Sequence, residues 1–145
     1  MRILTIGFTR KSAETFFTSL EKARVKRLID VRLNNVSQLA GFSKKDDLRY
    51  FANAICGIEY LHLVELAPTA DILEPYRKAK DVRWPRFERQ FLDLMRSRRI
   101  ENTPRNIFDH GCLLCSEEDP THCHRRLVAE YLKEHWRNLE IEHLQ

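Results

Sequence analysis

The stretch ILTIGFTRKSAETFFTSLEKARVKRLIDVRL, Ile3 to Leu33, changes its hydrophobic period twice. ILTIG (Ile3–Gly7) is an apolar, β-branched run stopped by a glycine, and it reads as a strand. From Ser12 the period becomes helical. Ala13, Phe16, Phe17, Leu20 and Ala23 share one face, and the Ser12 hydroxyl suits the N-cap. RLIDVRL (Arg27–Leu33) then returns to strand character. This strand–helix–strand order sets the fold class, because the rest of the chain repeats it.

The stretch NNVSQLAGFSK (34–44) carries the Asn, Ser and Gly of a loop. DDLRYFANAI (46–55) places Leu48, Phe51, Ala52 and Ile55 at helical spacing, with Asp46 and Asp47 suited to the first turn. IEYLHL (58–63) reads as a third strand. From Val64 to Val82 the pattern is poorer. LAPTADILEPYRK holds two prolines and mixed charge, and a long irregular excursion with one short helix around Ile72 is expected there. PRFERQFLDLMRSRRI (85–100) is a clearer helix, with Phe87, Phe91, Leu94 and Met95 on its buried face and Pro85 in its first turn. A strand centred on Cys112–Leu114, a helix in RRLVAEYLKEHW and a strand in LEIEHL complete the chain. The expectation is one α/β domain over residues 1–145. It is a three-layer sandwich around a mostly parallel central sheet of about five strands.

Composition is consistent with that reading. The chain has 145 residues, 43% hydrophobic and 32% charged, which suits a single core and excludes a disordered polyelectrolyte. The net charge of +4 permits an anionic partner without requiring one. No apolar run approaches the roughly 20 residues needed to cross a bilayer, and MRILTIGF is too short for a signal peptide. A cytoplasmic location is therefore the default, with no membrane partner. There, the four cysteines at 56, 112, 115 and 123 are expected as thiols or ligands rather than disulfides.

In open parallel sheets, ligands bind beyond the carboxyl ends of the strands. Gly7, Thr9 and Arg10 leave the first strand, Asp30 and Arg32 the second, and Glu65 the third. Cys115 and Glu117 leave the fourth, just before His122, Cys123, His124 and Arg125. These groups are expected along one rim. Cations are poor choices for a helix start unless an anion sits there, so Arg125 is a candidate anion ligand. Cys115, at a strand end near a helix start, is the first candidate for a reactive thiol, and Cys123 the second. Asp30 and Arg32 lie two positions apart. Arg32 is read as an anion clamp through its planar fork, and Asp30 as the residue that orients it. Gly7 allows a sharp turn or close backbone approach. Thr9 offers a hydroxyl to a cap or to a ligand.

Cysteine and histidine content raises the alternative of zinc. Cys112 and Cys115, however, are three apart on an expected strand and should face opposite sides of the sheet. No resident cofactor is expected, and zinc is retained as the alternative.

LTIGFT, IDVR and LLCSEEDPTHCHRRLVAEYL, in that order, resemble the DUF488 family, small bacterial and archaeal α/β proteins of unknown function. The resemblance runs over nearly the whole chain. It implies functional roles for Gly7, Thr9, Asp30, Arg32, Ser37, Cys115, Glu117, Cys123, His124 and Arg125, and it implies an enzyme. Two departures stand out: Phe8 where a histidine or similar polar residue is usual, and Asn35–Gln38 where the family carries a proline and then Ser-Arg.

Three functional classes follow. The first is an enzyme acting on a small phosphorylated or nucleotide-like substrate. Arg32, Arg125, Gly7, Thr9 and Ser37 would bind it, Cys115 or Cys123 would be the nucleophile, and His124 the acid or base oriented by Glu117. The second is a non-catalytic nucleotide or nucleic-acid binding module, for which Arg83, Arg86, Arg89, Arg96, Arg98 and Arg99 could supply a basic helix face. The third is a partner-binding protein with a vestigial pocket, presenting Phe42, Tyr50, Tyr60 and Trp84 as an apolar patch. Oligomeric state is left open.

Overall fold

The structure is a computed structural model and describes residues 1–35 and 41–145. Five strands, β1 (Arg2–Gly7), β2 (Arg27–Asp30), β3 (Glu59–His62), β4 (Gly111–Cys115) and β5 (Glu140–His143), form one sheet in the order β3-β2-β4-β1-β5. Every pairing is parallel. The expected single α/β domain with a five-stranded sheet is what the chain forms.

Helices cover both faces. On one side, α1 (Ala13–Lys22) and α2 (Lys45–Phe51), extended by a π-helical turn through Cys56, bury Phe16, Phe17, Leu20, Leu48 and Ala52 against Leu4, Ile6, Leu28, Cys112 and Leu114. Ser12 caps α1 as expected, accepting the Thr15 N–H at 3.1 Å. On the other side, α3 (Ala70–Lys78), α4 (Lys80–Arg98) and α5 (His124–His135) pack on Ile3, Ile29, Leu113 and Cys115. The alternation of Cys112, Leu113, Leu114 and Cys115 between the two cores is the period-two signature of a strand covered on both faces.

The connections determine where a ligand can bind. The chain leaves β1 and β2 toward the α1–α2 face and leaves β4 toward the α5 face. Because β4 lies between β1 and β2, both of its carboxyl-end flanks are points where the connections diverge. A crevice opens at such points, and Cys115 stands at its floor.

Three expectations need correction. The helix expected around Ile72 is present as α3, but the rest of the excursion from Val64 to Val82 is less irregular than expected, with a 3-10 turn at Val64–Leu66 before α3 and the start of α4 after it. Its prolines misled the reading. Pro85 is the sixth residue of α4, not part of its first turn, and Pro75 lies inside α3. Each proline removes one hydrogen bond, but burial of Tyr76, Trp84 and Phe87 against each other outweighs that loss. β2 also stops at Asp30, earlier than expected, because the Arg32 backbone N–H turns back onto Asp30 Oδ1 at 3.1 Å. Finally, Phe42, Tyr60 and Trp84 are buried and only Tyr50 is exposed, so these four form no surface patch. Among the described residues, no helix is long and apolar enough to cross a membrane.

Candidate functional site

A cavity of about 540 Å³ opens over the carboxyl end of β4, a volume ordinary for small-molecule sites. Phe8 and Thr9 follow β1, and Arg32, Leu33 and Asn34 follow β2. Cys115, Ser116 and Glu117 follow β4, while His122, Cys123 and His124 open α5. The far wall is Leu73, Tyr76, Arg77, Lys80, Trp84 and Phe87, from α3 and α4. The poorly patterned excursion therefore supplies most of this far wall.

Arg32 is 5% exposed and Asp30 not at all. Arg32 Nε donates to Asp30 Oδ1 at 2.9 Å and Nη2 to Oδ2 at 2.8 Å, the two-pronged geometry that suits guanidinium and carboxylate. Nη2 also reaches the Ser43 carbonyl at 2.9 Å. Nη1 is buried without a hydrogen-bond partner among the described residues. Burial works against the charge, but the Asp30 carboxylate more than compensates and raises the Arg32 pKa further. Asp30 also accepts the Tyr60 hydroxyl, and His62 Nε2 donates to the Arg32 carbonyl at 2.7 Å. Phe8 lies under the guanidinium, with its ring centre 5.1 Å from Cζ. Phe8 thus places an aromatic face against the buried cation.

Cys115 is almost fully buried, and its thiol pKa lies below the ordinary value. The Cys123 thiol donating to it is the largest cause. Burial opposes this, while the charge of Arg125 and the Ser116 backbone N–H add to it. Cys123, the N-cap of α5, is correspondingly held well above the ordinary value, first by burial and then by its donation to Cys115.

His124 Nε2 lies 2.7 Å from the Val31 carbonyl, so it carries the proton and leaves Nδ1 as the free acceptor. Cys115 Sγ sits 3.7 Å from Nδ1 and 3.9 Å from Nε2. A sulfur nearly equidistant from both ring nitrogens lies along the lone pair of neither. The two residues are neighbours, not an aligned thiol–imidazole pair.

One ligand atom each from Cys115, Cys123 and His124 falls within 4.8 Å of the others, all buried. The donor set is compatible with a borderline cation such as zinc, and the Val31 carbonyl behind His124 is the usual outer partner of a ligating imidazole. Coordination by all three requires the ring to turn, given the position of the sulfur.

The structure brings together Thr9, Arg32, Cys115, Glu117, Cys123 and His124 around the cavity, with Asp30 directly behind Arg32. Arg125 is placed differently from the anion ligand expected of it. It is fully buried and not part of the lining. Nη1 donates to the Glu117 carbonyl, Nη2 to the Glu118 carbonyl at 3.2 Å, and Nε to Thr5 Oγ1 at 3.3 Å. Its charge is spent on holding the loop after β4. Gly7 serves the same loop: a Cβ there would lie 1.7 Å from the Glu117 carbonyl oxygen. Thr9 ties the loop through its backbone N–H to Ser116 O at 3.1 Å, and its hydroxyl bonds the same oxygen. Glu117 pairs with Lys80 at 2.8 Å across the mouth, and the orientation of His124 comes from the Val31 carbonyl. Ser37 lies outside the described residues, as does Gln38. Glu65 is exposed and lies off the lining.

Sequence reasoning missed Tyr60, His62 and Trp84 as members of the site, while it placed His122 on the rim. The parallel register places His62 beside Asp30 and Tyr60 beside Leu28, so pairing β2 with β3 would have found the first two. The Trp84–His122 stack, with centroids 4.9 Å apart, joins segments that nothing in the sequence pairs.

The fold and this site define a small α/β-sandwich protein with a thiol- and guanidinium-lined cavity at the end of its central strand. A model of the family described as "Domain of unknown function DUF488" matches residues 12–132, and the chain belongs to that family. Comparison with curated proteins finds no match, and comparison with solved structures finds none.

Proposed function

We propose that the protein is a thiol-dependent enzyme acting on a small phosphorylated or nucleotide-like substrate. The observation that carries this is Arg32, a buried guanidinium that lines the same cavity as Cys115, is fixed on one edge by Asp30, and has an Nη1 without a partner among the described residues. A buried donor with no acceptor is costly, and an anionic oxygen would satisfy it. Phe8 covers the guanidinium, so its ring shifts as the anion docks. The aromatic wall of Tyr76, Trp84 and Phe87 supplies flat apolar surface for the rest of the substrate.

In this reading Cys115 is the nucleophile. Its thiolate attacks the electrophilic centre of the anchored substrate. A bond from Sγ to that centre forms as the bond to the leaving group breaks, and the leaving group takes up a proton. Water then cleaves the thiol adduct, adding hydroxyl to the transferred group and returning a proton to Sγ. His124 Nδ1, unprotonated at the start, is the nearby group that takes up and releases protons once the ring turns toward the sulfur. Arg125, Gly7 and Thr9 position the loop that follows Cys115 at the end of β4.

Titration calorimetry with inorganic phosphate and nucleoside monophosphates, followed by turnover assays on phosphate esters with wild type and Cys115→Ser, tests this. Saturable binding that Arg32→Gln abolishes, with turnover lost in Cys115→Ser, is expected. Undiminished turnover in Cys115→Ser would remove the thiol from the chemistry.

A further inference from the structure

Cys115 and Cys123 pose a question that substrate binding does not answer. A thiol nucleophile is ordinarily activated by a base or a fixed positive charge beside it, and this one has a second cysteine beside it as well. Cys115 closes β4 and Cys123 opens α5. Both side chains belong to the same face of the sheet, line the same cavity, and bring their sulfurs within 4.8 Å of each other. Cys112 belongs to the opposite core, and Cys56 donates to the Phe17 carbonyl on that same far side. Of the four cysteines, only this pair shares a chamber.

We propose that Cys115 and Cys123 form a reversible redox couple, oxidised to an intramolecular disulfide by small hydroperoxides that enter the cavity. The proposal needs the paired thiols and not the phosphorylated substrate. In the first step the Cys115 thiolate attacks one oxygen of hydrogen peroxide. An S–O bond forms, the O–O bond breaks, and hydroxide leaves and becomes water on protonation. In the second step Cys123 Sγ attacks the sulfur of the Cys115 sulfenic acid. The S–S bond forms, the S–O bond breaks, and the hydroxyl leaves as water with the Cys123 proton. Two thiols and one peroxide thus give one disulfide and two waters. The thiols lose two electrons and the peroxide gains them.

The surroundings suit both steps. Cys115 and Cys123 line one cavity with sulfurs within 4.8 Å, so an entering peroxide meets the attacking thiol and the resolving thiol in the same place. Bond formation then draws the sulfurs to about 2 Å. The movement falls on the Ser116–His122 loop, which is held from outside by Thr9 and Arg125 through carbonyl bonds rather than by core packing. The disulfide removes the nucleophile, so the couple would also serve as an off-switch for the proposed reaction.

The test uses the full-length reduced protein and hydrogen peroxide alone, read by intact mass and peptide mapping. Expected is a loss of two hydrogens, a single Cys115–Cys123 cross-link, and reversal by dithiothreitol. In Cys123→Ser, oxidation should stop at a sulfenic acid on Cys115 that dimedone traps. Cys56→Ser should behave as wild type. Cross-links through Cys56 or Cys112, or over-oxidation of Cys115 in wild type with Cys123 still a free thiol, would overturn the proposal. The wild-type map needs no variant to fold. Phosphate affinity, measured separately on the reduced protein, keeps failure here distinct from failure of the enzymatic reading.

Discussion

Arg32 and Asp30 meet edge to edge, Nε on Oδ1 at 2.9 Å and Nη2 on Oδ2 at 2.8 Å, with side chains 6% and 0% exposed. Such a pair is fixed in geometry and intolerant of losing one member. Asp30→Asn leaves a buried guanidinium with a neutral partner. A loss of about 3–5 kcal/mol in urea unfolding is expected, and a loss below about 1 kcal/mol would show that solvent reaches the pair.

Arg125 should behave as part of the scaffold. Arg125→Met strips partners from the Glu117 and Glu118 carbonyls and from Thr5. A stability loss of about 3 kcal/mol is expected, with faster amide exchange from Ser116 to His122. Weaker phosphate binding at unchanged stability and exchange would return Arg125 to the role the sequence suggested.

Gly7→Ala should fail for a steric reason. The new methyl would lie 1.7 Å from the Glu117 carbonyl oxygen, a backbone atom that cannot swing aside as a flexible side chain can. Displacing the loop should cost about 1–3 kcal/mol and slow alkylation of Cys115. An unperturbed melting curve with wild-type alkylation would mean that the loop does not pass so close to β1.

The pH dependence follows from the shifted thiol. Cys115 has a folded pKa below its unfolded value. Its contribution to stability is therefore present above the ordinary thiol pKa and is lost as pH falls through the folded value. Alkylation of Cys115 by iodoacetamide should show its midpoint below that of a free thiol. Cys123→Ala removes the largest cause of the shift and should move the midpoint up. A midpoint that does not move would assign the thiolate to the charge of Arg125 instead.

Period and punctuation made the sheet legible. Ile3–Gly7, Arg27–Asp30 and Gly111–Cys115 are short β-branched or leucine-rich runs between helical patterns. The opposite facing of Cys112 and Cys115 needed only the alternation of a strand. The length of α3 and the start of α4 were hidden by Pro75 and Pro85, because local propensity cannot weigh the burial of Tyr76, Trp84 and Phe87. The burial of Arg125 was illegible for a related reason. A charge reads as surface or ligand contact until its carbonyl partners are known, and those partners are set by a loop path that the sequence does not encode locally. Arg32 was legible because Asp30 stands two positions away.

The most direct test compares two alkylating agents on one thiol. Iodoacetate is anionic and iodoacetamide neutral, and otherwise they present the same electrophile to Cys115. If Arg32 holds anions beside that sulfur, the iodoacetate-to-iodoacetamide rate ratio in wild type should fall about tenfold in Arg32→Gln, the equivalent of about 1.4 kcal/mol for one charge-assisted hydrogen bond. Arg32→Lys keeps charge but spends its ammonium on Asp30, and it should fall in the same direction. Equal ratios in all three folded proteins, checked by circular dichroism, would mean that the guanidinium only braces the fold.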